Sequence, residues 1–318
     1  MTRADQAKIT VIGAISYDEI LASDTIFGPD GPGLNCKIVS RAHHLGGCGG
    51  NIAYGLVQHG LSPELISIAG KGDFKTYATN LSRLSIAADS ILAVPYRSCA
   101  RALIVTDPEG TQFTAFEPEP EITLGDWKSL LEHSNLRHNK ILICAPFPQQ
   151  RQLIALEYAA QVNPDCLKIW CPGQYADRLD ANQLTSFAPH WDILICNAQE
   201  MENLQRLGTF DWRDKLCLVT DGPRPVRVRL PDQSQRTIPI PRIERAGEED
   251  PTGCGDAMIA GFAAALLGHI EDGGTPKWIN KLNAIVRNGI RNAQRCFASV
   301  GSQNYQHVEA VDRNIQES

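Results

Sequence analysis

No block of basic residues occurs anywhere in this chain, and 36 acidic against 30 basic side chains leave a formal net charge of −6. A surface for nucleic acid or anionic lipid needs the opposite balance, so both are excluded as partners, and any bound polyphosphate must be held by local groups. No window approaches the length of a membrane-spanning helix. The first residues, MTRADQAKITVIGAI, also lack the apolar core and small-residue cleavage site of a secretory signal, so a cytoplasmic location is expected. The ten cysteines include no C-x-x-C pair, which argues against zinc and dithiol patterns and favours buried thiols. G-x-x-x-x-G-K-[ST] and G-x-G-x-x-G are missing too, so the chain carries neither a P-loop nor a dinucleotide fingerprint. There is no internal repeat, low-complexity tract or domain-sized linker.

What is present is a chain of 318 residues, 43% of them hydrophobic, enough to fill a sizeable core. Short apolar runs rich in β-branched residues alternate with stretches of helical period: KITVIGAI, NIAYGLVQHG, ELISIAG and FKTYATNLSRL, then NKILICAPF, RQLIALEYAAQV, LKIWCPG, DILICNAQE and KLCLVTDG. Such alternation predicts βαβ units, and the near-continuous hydrophobic strands suit a sheet buried on both faces. The expected fold is one α/β domain over residues 1–318, a doubly wound, mostly parallel sheet with helices on both faces. Two segments break the rhythm, about 18–41, which is loop-like and rich in Gly and Pro, and about 96–118. The second reads as a β-hairpin turning at Asp107-Pro108-Glu109-Gly110. Both can leave the core and pair as a small β-sheet lid over one end of it.

The stretch DPTGCGDAMIAGF, Asp250 to Phe262, places a Gly-Cys-Gly turn before an apolar run of helical period. The first amides of a helix lack intrahelical partners and carry partial positive charge, so such a turn is an anion seat. Thr252, Gly253, Cys254 and Gly255 would present amides, while Ile259, Phe262, Ala263 and Leu266 hold the helix against the sheet. An aspartate there repels a phosphate, unless Asp256 handles the proton of a nucleophile while the amides neutralise a transferring phosphoryl group. A plain helix N-cap remains the alternative for Asp256.

A second glycine cluster, LGGCGGNIAYGLVQHG, sets Gly46 and Gly47 before another helix with Asn51 in its first turn. Gly46-Gly47 with Asn51 and Ala53, followed far downstream by Asp250-x-Thr252-Gly253-Cys254-Gly255-Asp256, resembles the paired signatures of the ribokinase family, the PfkB carbohydrate kinases. The resemblance runs from VIGAISYDEI to GSQNY and implies a ribokinase-like fold and an ATP-dependent kinase. It implies that Asp256 is the catalytic base and that Gly253, Cys254 and Gly255 form the anion hole. Asp18, Gly46, Gly47 and Asn51 would face the substrate, and Thr220 and Gly222 would lie beside the nucleotide. Asn197 and Glu200 match an N-x-x-E motif that helps to place Mg²⁺ through water, and Asp250 and Thr252, with the Gly301-Ser302-Gln303 loop, resemble a monovalent-cation site, K⁺ being the ion implied. Asn51 as a cap, Asp18 as a turn residue, and Asn197 with Glu200 as a helix start are the structural alternatives.

ISYDEI, GGCGGNIAYGL, SCARALIVTDPEGTQFTAF, PGQY, DPTGCGDA and GSQN are most similar to the bacterial adenosine-kinase-like branch. The implied reaction is transfer of the γ-phosphate of ATP to a nucleoside hydroxyl, adenosine 5′-OH first, with a sugar kinase or a ligand-binding relative that has lost efficient transfer as the alternatives. The chain departs from the pattern at Pro223-Arg224-Pro225, which stiffens the nucleotide loop, at Cys171, where relatives often carry an acid, and in the loop from Asp18 to His43. His43 and His44 look like a ligand pair, but adjacent residues point apart and no third ligand is apparent, so both are expected to face solvent. Phe113, Phe116 and Phe147 offer rings either for a base or for packing. The exposed edge of the lid hairpin invites pairing into a homodimer.

Overall fold

In the computed structural model of the chain, residues 7–27, 35–109, 111–208, 212–242, 250–273 and 278–306 are described. The strands are β1 Ile9–Ile12, β2 Ser16–Ser23, β3 Ile38–Gly46, β4 Glu64–Gly70, β5 Ile91–Val94, β6 Ala100–Thr106, β7 Gln112–Glu117, β8 Ile141–Cys144, β9 Leu167–Trp170, β10 Ile193–Asn197, β11 Leu216–Asp221, β12 Arg224–Arg229 and β13 Gln235–Ile238. The α-helices are α1 Cys48–Gln58, α2 Phe74–Arg83, α3 Leu124–Glu132, α4 Gln149–Val162, α5 Ala181–Phe187, α6 Ala198–Arg206, α7 Cys254–Gly273 and α8 Leu282–Phe297. Among the described residues no helix is long and apolar enough to cross a membrane.

Nine strands form one sheet in the order β13-β12-β11-β10-β9-β8-β1-β4-β5. Pairing is parallel from β11 through to β5 and antiparallel only where β12 and β13 are added. Successive side chains of a strand point to opposite faces, and the cores follow that rule. Ile141 and Ile143 pack with Ile52, Leu56, Phe262 and Ile285 of α1, α7 and α8. Leu142 and Cys144 pack on the other face with Trp127, Leu156, Leu184 and Leu204 of α3 to α6. Burial on both faces explains the continuous apolar runs of the central strands.

β1 has β4 on one side and β8 on the other, so the chain winds away from β1 in both directions. Open α/β sheets bind ligands at such a switch point, outside the carboxyl ends of the strands. The chain leaves β1 there at Gly13, where an added Cβ would come within 2.8 Å of Ala145 Cβ and 3.0 Å of Gly49 Cα. The glycine is needed for three chain segments to meet.

In the segment read as loop-like from 18 to 41, residues 18–23 and 38–41 are β structure. β2 and β3 pair antiparallel, β2 pairs parallel with β6, and β6 and β7 form the expected hairpin, giving a separate four-stranded sheet β3-β2-β6-β7. Pairing with β6, distant in sequence, supplies the hydrogen-bond partners that local propensity does not reveal. The Gly- and Pro-rich residues 28–34 and Gly110 of the hairpin turn lie outside the described residues. In that turn Asp107 Oδ1 accepts from the amides of Glu109 and Thr111.

Candidate active site

The turn that opens α7 is anchored by the carboxylate of Asp250. Its Oδ1 accepts from the Thr252 amide at 2.9 Å and its Oδ2 from the Gly301 amide at 2.9 Å. Gly253 has φ 80°, a conformation that favours glycine, and a side chain there would overlap Ser302. Of the amides expected to be presented at this turn, that of Thr252 is taken by Asp250 and that of Cys254 is turned back on the Pro251 carbonyl at 3.2 Å, two corrections to the expected set. The amides of Gly253 and Gly255 remain the candidates of that set. A Cβ built on Gly255 meets nothing within 4 Å, so the space over this helix mouth is open. Ile259, Phe262, Ala263 and Leu266 are buried as expected.

Asp256 lies in the first turn of α7, partly exposed. Its Oδ2 accepts from Asn51 Nδ2 at 2.8 Å. Burial is the main reason that its carboxyl is pushed up to about 7; the charges of Asp18 and Glu200 add to this, while hydrogen bonds from Asn51 and the Cys48 thiol oppose it. Neighbouring acids and partial withdrawal from water are how a carboxyl is tuned toward neutral pH.

Asn51 is on α1, which starts after Gly47 at φ 86°, and its own amide donates to the Gly47 carbonyl at 2.8 Å. Asn51 Oδ1 accepts from Ser302 Oγ at 2.9 Å and from Gln303 Nε2 at 3.0 Å. Asp18 on β2 is buried, accepts from Ser16 Oγ at 2.7 Å, and is raised above the usual carboxylate range chiefly by burial. A side chain at Gly46 would overlap the Asp18 carboxylate, so the glycine makes room for it.

Asn197 and Glu200 form a reciprocal cap on α6. Asn197 Oδ1 accepts from the Glu200 amide at 2.8 Å, while the Asn197 amide and Nδ2 donate to the two Glu200 oxygens at 3.0 and 2.7 Å. Thr220 stands opposite Asn197 across the β10–β11 ladder. Gly222 has φ 53° in the tight β11–β12 turn, whose Asp221 carboxylate meets Arg224 at 2.8 Å. Pro225 falls at the register shift of β12, where a missing N–H is tolerated.

The carbonyls assigned by resemblance to a monovalent cation each face a thiol. Cys254 Sγ lies 3.8 Å from the Asp250 carbonyl and Cys296 Sγ 3.4 Å from that of Thr252. All ten cysteines are free; Cys171 and most others are buried, but Cys48 and Cys254 are part-exposed beside Asp256.

The expectation that both histidines face solvent is corrected for His44. His43 is exposed, but His44 is half-buried, lies opposite Asp18 in register, and has Nδ1 3.4 Å from Asn304 Nδ2. Phe147 is fully buried against Trp127 and belongs to the core. Phe116 pairs with Ala102, which pairs with Asp18, so His44, Asp18, Ala102 and Phe116 share one face of the small sheet. Phe113, three residues earlier, is on the other face. The Ser302 and Gln303 loop was expected beside Asp250, but its side-chain bonds to Asn51, and the places of Cys48 and Cys296, were not legible, because only long-range packing brings these groups together.

The model of the pfkB family of carbohydrate kinases matches residues 6–277. A nucleoside kinase of Methanocaldococcus jannaschii is 28% identical over 269 residues, covering 82% of this chain and 83% of the relative. The structure of a Burkholderia thailandensis nucleoside kinase in complex with inosine superposes with a TM-score of 0.75 at 25% identity, covering 94% of each chain. A Cryptococcus neoformans ribokinase in complex with ADP shares the fold, with a TM-score of 0.74 at 19% identity over 94% of this chain and 96% of that one.

Proposed function

The chain belongs to the pfkB family of carbohydrate kinases, phosphotransferases with a hydroxyl acceptor, and from that premise we propose that it moves the γ-phosphate of ATP to a hydroxyl of a nucleoside, adenosine 5′-OH being the first acceptor to test. The observation that carries this reading is the Asp256 carboxylate, hydrogen-bonded to Asn51 beside the open mouth of α7.

In this reading Asp18 and the second Nδ2 hydrogen of Asn51 hold the ribose hydroxyls, so that the acceptor hydroxyl points at Asp256. A carboxyl near 7 is about half ionised at neutral pH and is matched to taking up the hydroxyl proton as the oxygen attacks in line. The amides of Gly253 and Gly255, with the positive end of α7, stabilise the phosphoryl group as it passes. The small sheet acts as a lid, excluding water that would otherwise consume ATP.

A nucleoside is favoured over a bare sugar by the row from Asp18 to Phe116. Strands lie about 4.8 Å apart, so a half-exposed ring two strands away stands roughly 10 Å from the ribose-binding carboxylate, within reach of a base. The inosine complex of the Burkholderia relative is in line with this. Thr220 and Gly222 would lie along the nucleotide.

Mg²⁺ keeps several waters and binds through one or two carboxylates plus substrate phosphates, where it supplies charge neutralisation. Glu200 suits that use, because each of its oxygens accepts one hydrogen bond from Asn197 and keeps a lone pair for a hydrated ion. Asp250 and Thr252 would hold K⁺ through the lone pairs that Cys254 and Cys296 leave on their carbonyls. A cytoplasmic location, where ATP is at hand, accords with ten unbridged cysteines.

The test is substrate-dependent ADP release over a panel of nucleosides and sugars. Turnover with nucleosides supports the reading; turnover confined to sugars selects the sugar-kinase alternative, and turnover with none refutes both.

A further inference from the structure

A run of hydrogen bonds with a single direction leads into Asp256. It starts at the Gly46 carbonyl, which can only accept, and which accepts from Tyr77 Oη at 2.7 Å. Tyr77 is fully buried, and burial pushes its hydroxyl far above the usual range, so it keeps its proton. With that proton committed to Gly46, the Tyr77 oxygen can only accept from Gln303, whose Nε2 is 3.0 Å away. The same Nε2 donates to Asn51 at 3.0 Å, and Ser302 Oγ adds a second donor at 2.9 Å. The Asn51 atom facing both must therefore be Oδ1, which leaves Nδ2 to face Asp256.

We infer that Gln303 and Ser302 are positioning residues for phosphoryl transfer, holding the Asn51 carboxamide in the one orientation that presents a donor to Asp256. A carboxamide is nearly symmetric in shape, so packing alone does not choose between its ends. Turned over, Asn51 would present Oδ1 to the carboxylate, and the pair could form a hydrogen bond only if Asp256 carried a proton. The base would then be blocked at neutral pH. Gly301 and Asn304 tie the same loop to Asp250 and His44, so one short segment fixes the amide and its surroundings together.

The other ionisable groups around Asp256 are Asp18 of β2, Cys48 of α1, Cys171 just after β9, Glu200 of α6, Asp250 and Cys254 of the turn, Cys296 of α8 and Tyr305 beyond it. None of them is altered by exchanging Gln303 or Ser302, so a change in the titration of Asp256 reports the amide.

The inference rests on Asp256 being the base. Its test is kcat/KM against pH for the wild type, Gln303→Met, Tyr77→Phe and the Ser302→Ala, Gln303→Met double variant. Met and Phe keep the volume while removing the donor or the hydroxyl that sets the direction. One lost hydrogen bond to a charge is worth roughly one pH unit, so the acid limb should move up by about that much, most in the double variant, with the loss of rate shrinking toward alkaline pH. Superimposed profiles, or a loss equal at every pH, would overturn the inference, the second because it marks a merely structural role. The carboxyl ¹³C titration of Asp256, assigned with Asp256→Asn, reads the same shift without turnover. A chain that phosphorylates nothing in the panel would thus remove the functional reading, while an unmoved carboxyl titration would remove this one.

Discussion

Asn51 Nδ2 donates to Asp256 Oδ2 at 2.8 Å across 205 residues of sequence, joining the two glycine-rich turns into one site. Each turn brings the mouth of a helix to the switch point of the sheet, one with an amide side chain and the other with a carboxylate.

Asp256→Asn should lower kcat by about 10²- to 10⁴-fold, the range of general base catalysis, and steady-state ADP release checks it. Near-wild-type turnover would remove the catalytic assignment. The same variant should change stability with a defined sign. The wild-type carboxyl is raised from 3.8 to about 7 on folding, so the unfolded chain loses its proton first as pH rises. Stability from this group is fully present below about pH 4 and declines up to about pH 7. Melting temperatures should therefore show Asp256→Asn gaining on the wild type through that window and holding its gain above it.

Gly46→Ala puts a methyl group where the Asp18 carboxylate lies. Displacing a binding group by about 1 Å can cost roughly 10²-fold, and kcat/KM for the nucleoside should fall by that order. Unchanged kinetics in this variant would mean that Asp18 does not hold substrate.

Phe116→Ala should raise KM for nucleosides about tenfold, in keeping with roughly 1–3 kcal/mol for a base stacked on an aromatic ring. Phe113→Ala, on the opposite face of the lid, should leave it unchanged. Equal effects of the two would show that the ring acts through lid stability instead of through the base.

The small sheet ends in β7 at one edge and β3 at the other, with Phe113 and Val39 exposed near them. Open edges pair readily, so we expect a homodimer through the lid at micromolar concentration. Sedimentation velocity checks this, and a monomer throughout would count against it.

The parallel core was legible in the sequence because its strands are buried on both faces. ILIC of β8 and the same run in β10 have to be apolar at every position, and no nearby helix period competes with that signal. The glycine turns were legible for a similar reason: Gly47 and Gly253 have backbone conformations that side chains resist, and the residue type records the constraint. Asn51 and Asp256 follow at fixed spacing within the first turns of their helices, and the resemblance to known kinases rests on those local patterns.

What lay beyond the sequence is whatever depends on a partner distant along the chain. Alternation separates Phe113 from Phe116, but which of them shares a face with Asp18 is decided by the pairing of β6 with β2. His44 is turned toward Asp18 by the β2–β3 register, and the Cys254 amide is lost to Pro251 through the local curl of the turn. The direction of the Asn51 amide is settled by Tyr77 and Gln303, since a carboxamide carries no record of its orientation until fixed donors and acceptors surround it. Composition and spacing determined which groups the site contains; only the tertiary contacts decided which way each faces, because hydrogen-bond direction is a property of neighbours and not of residue type.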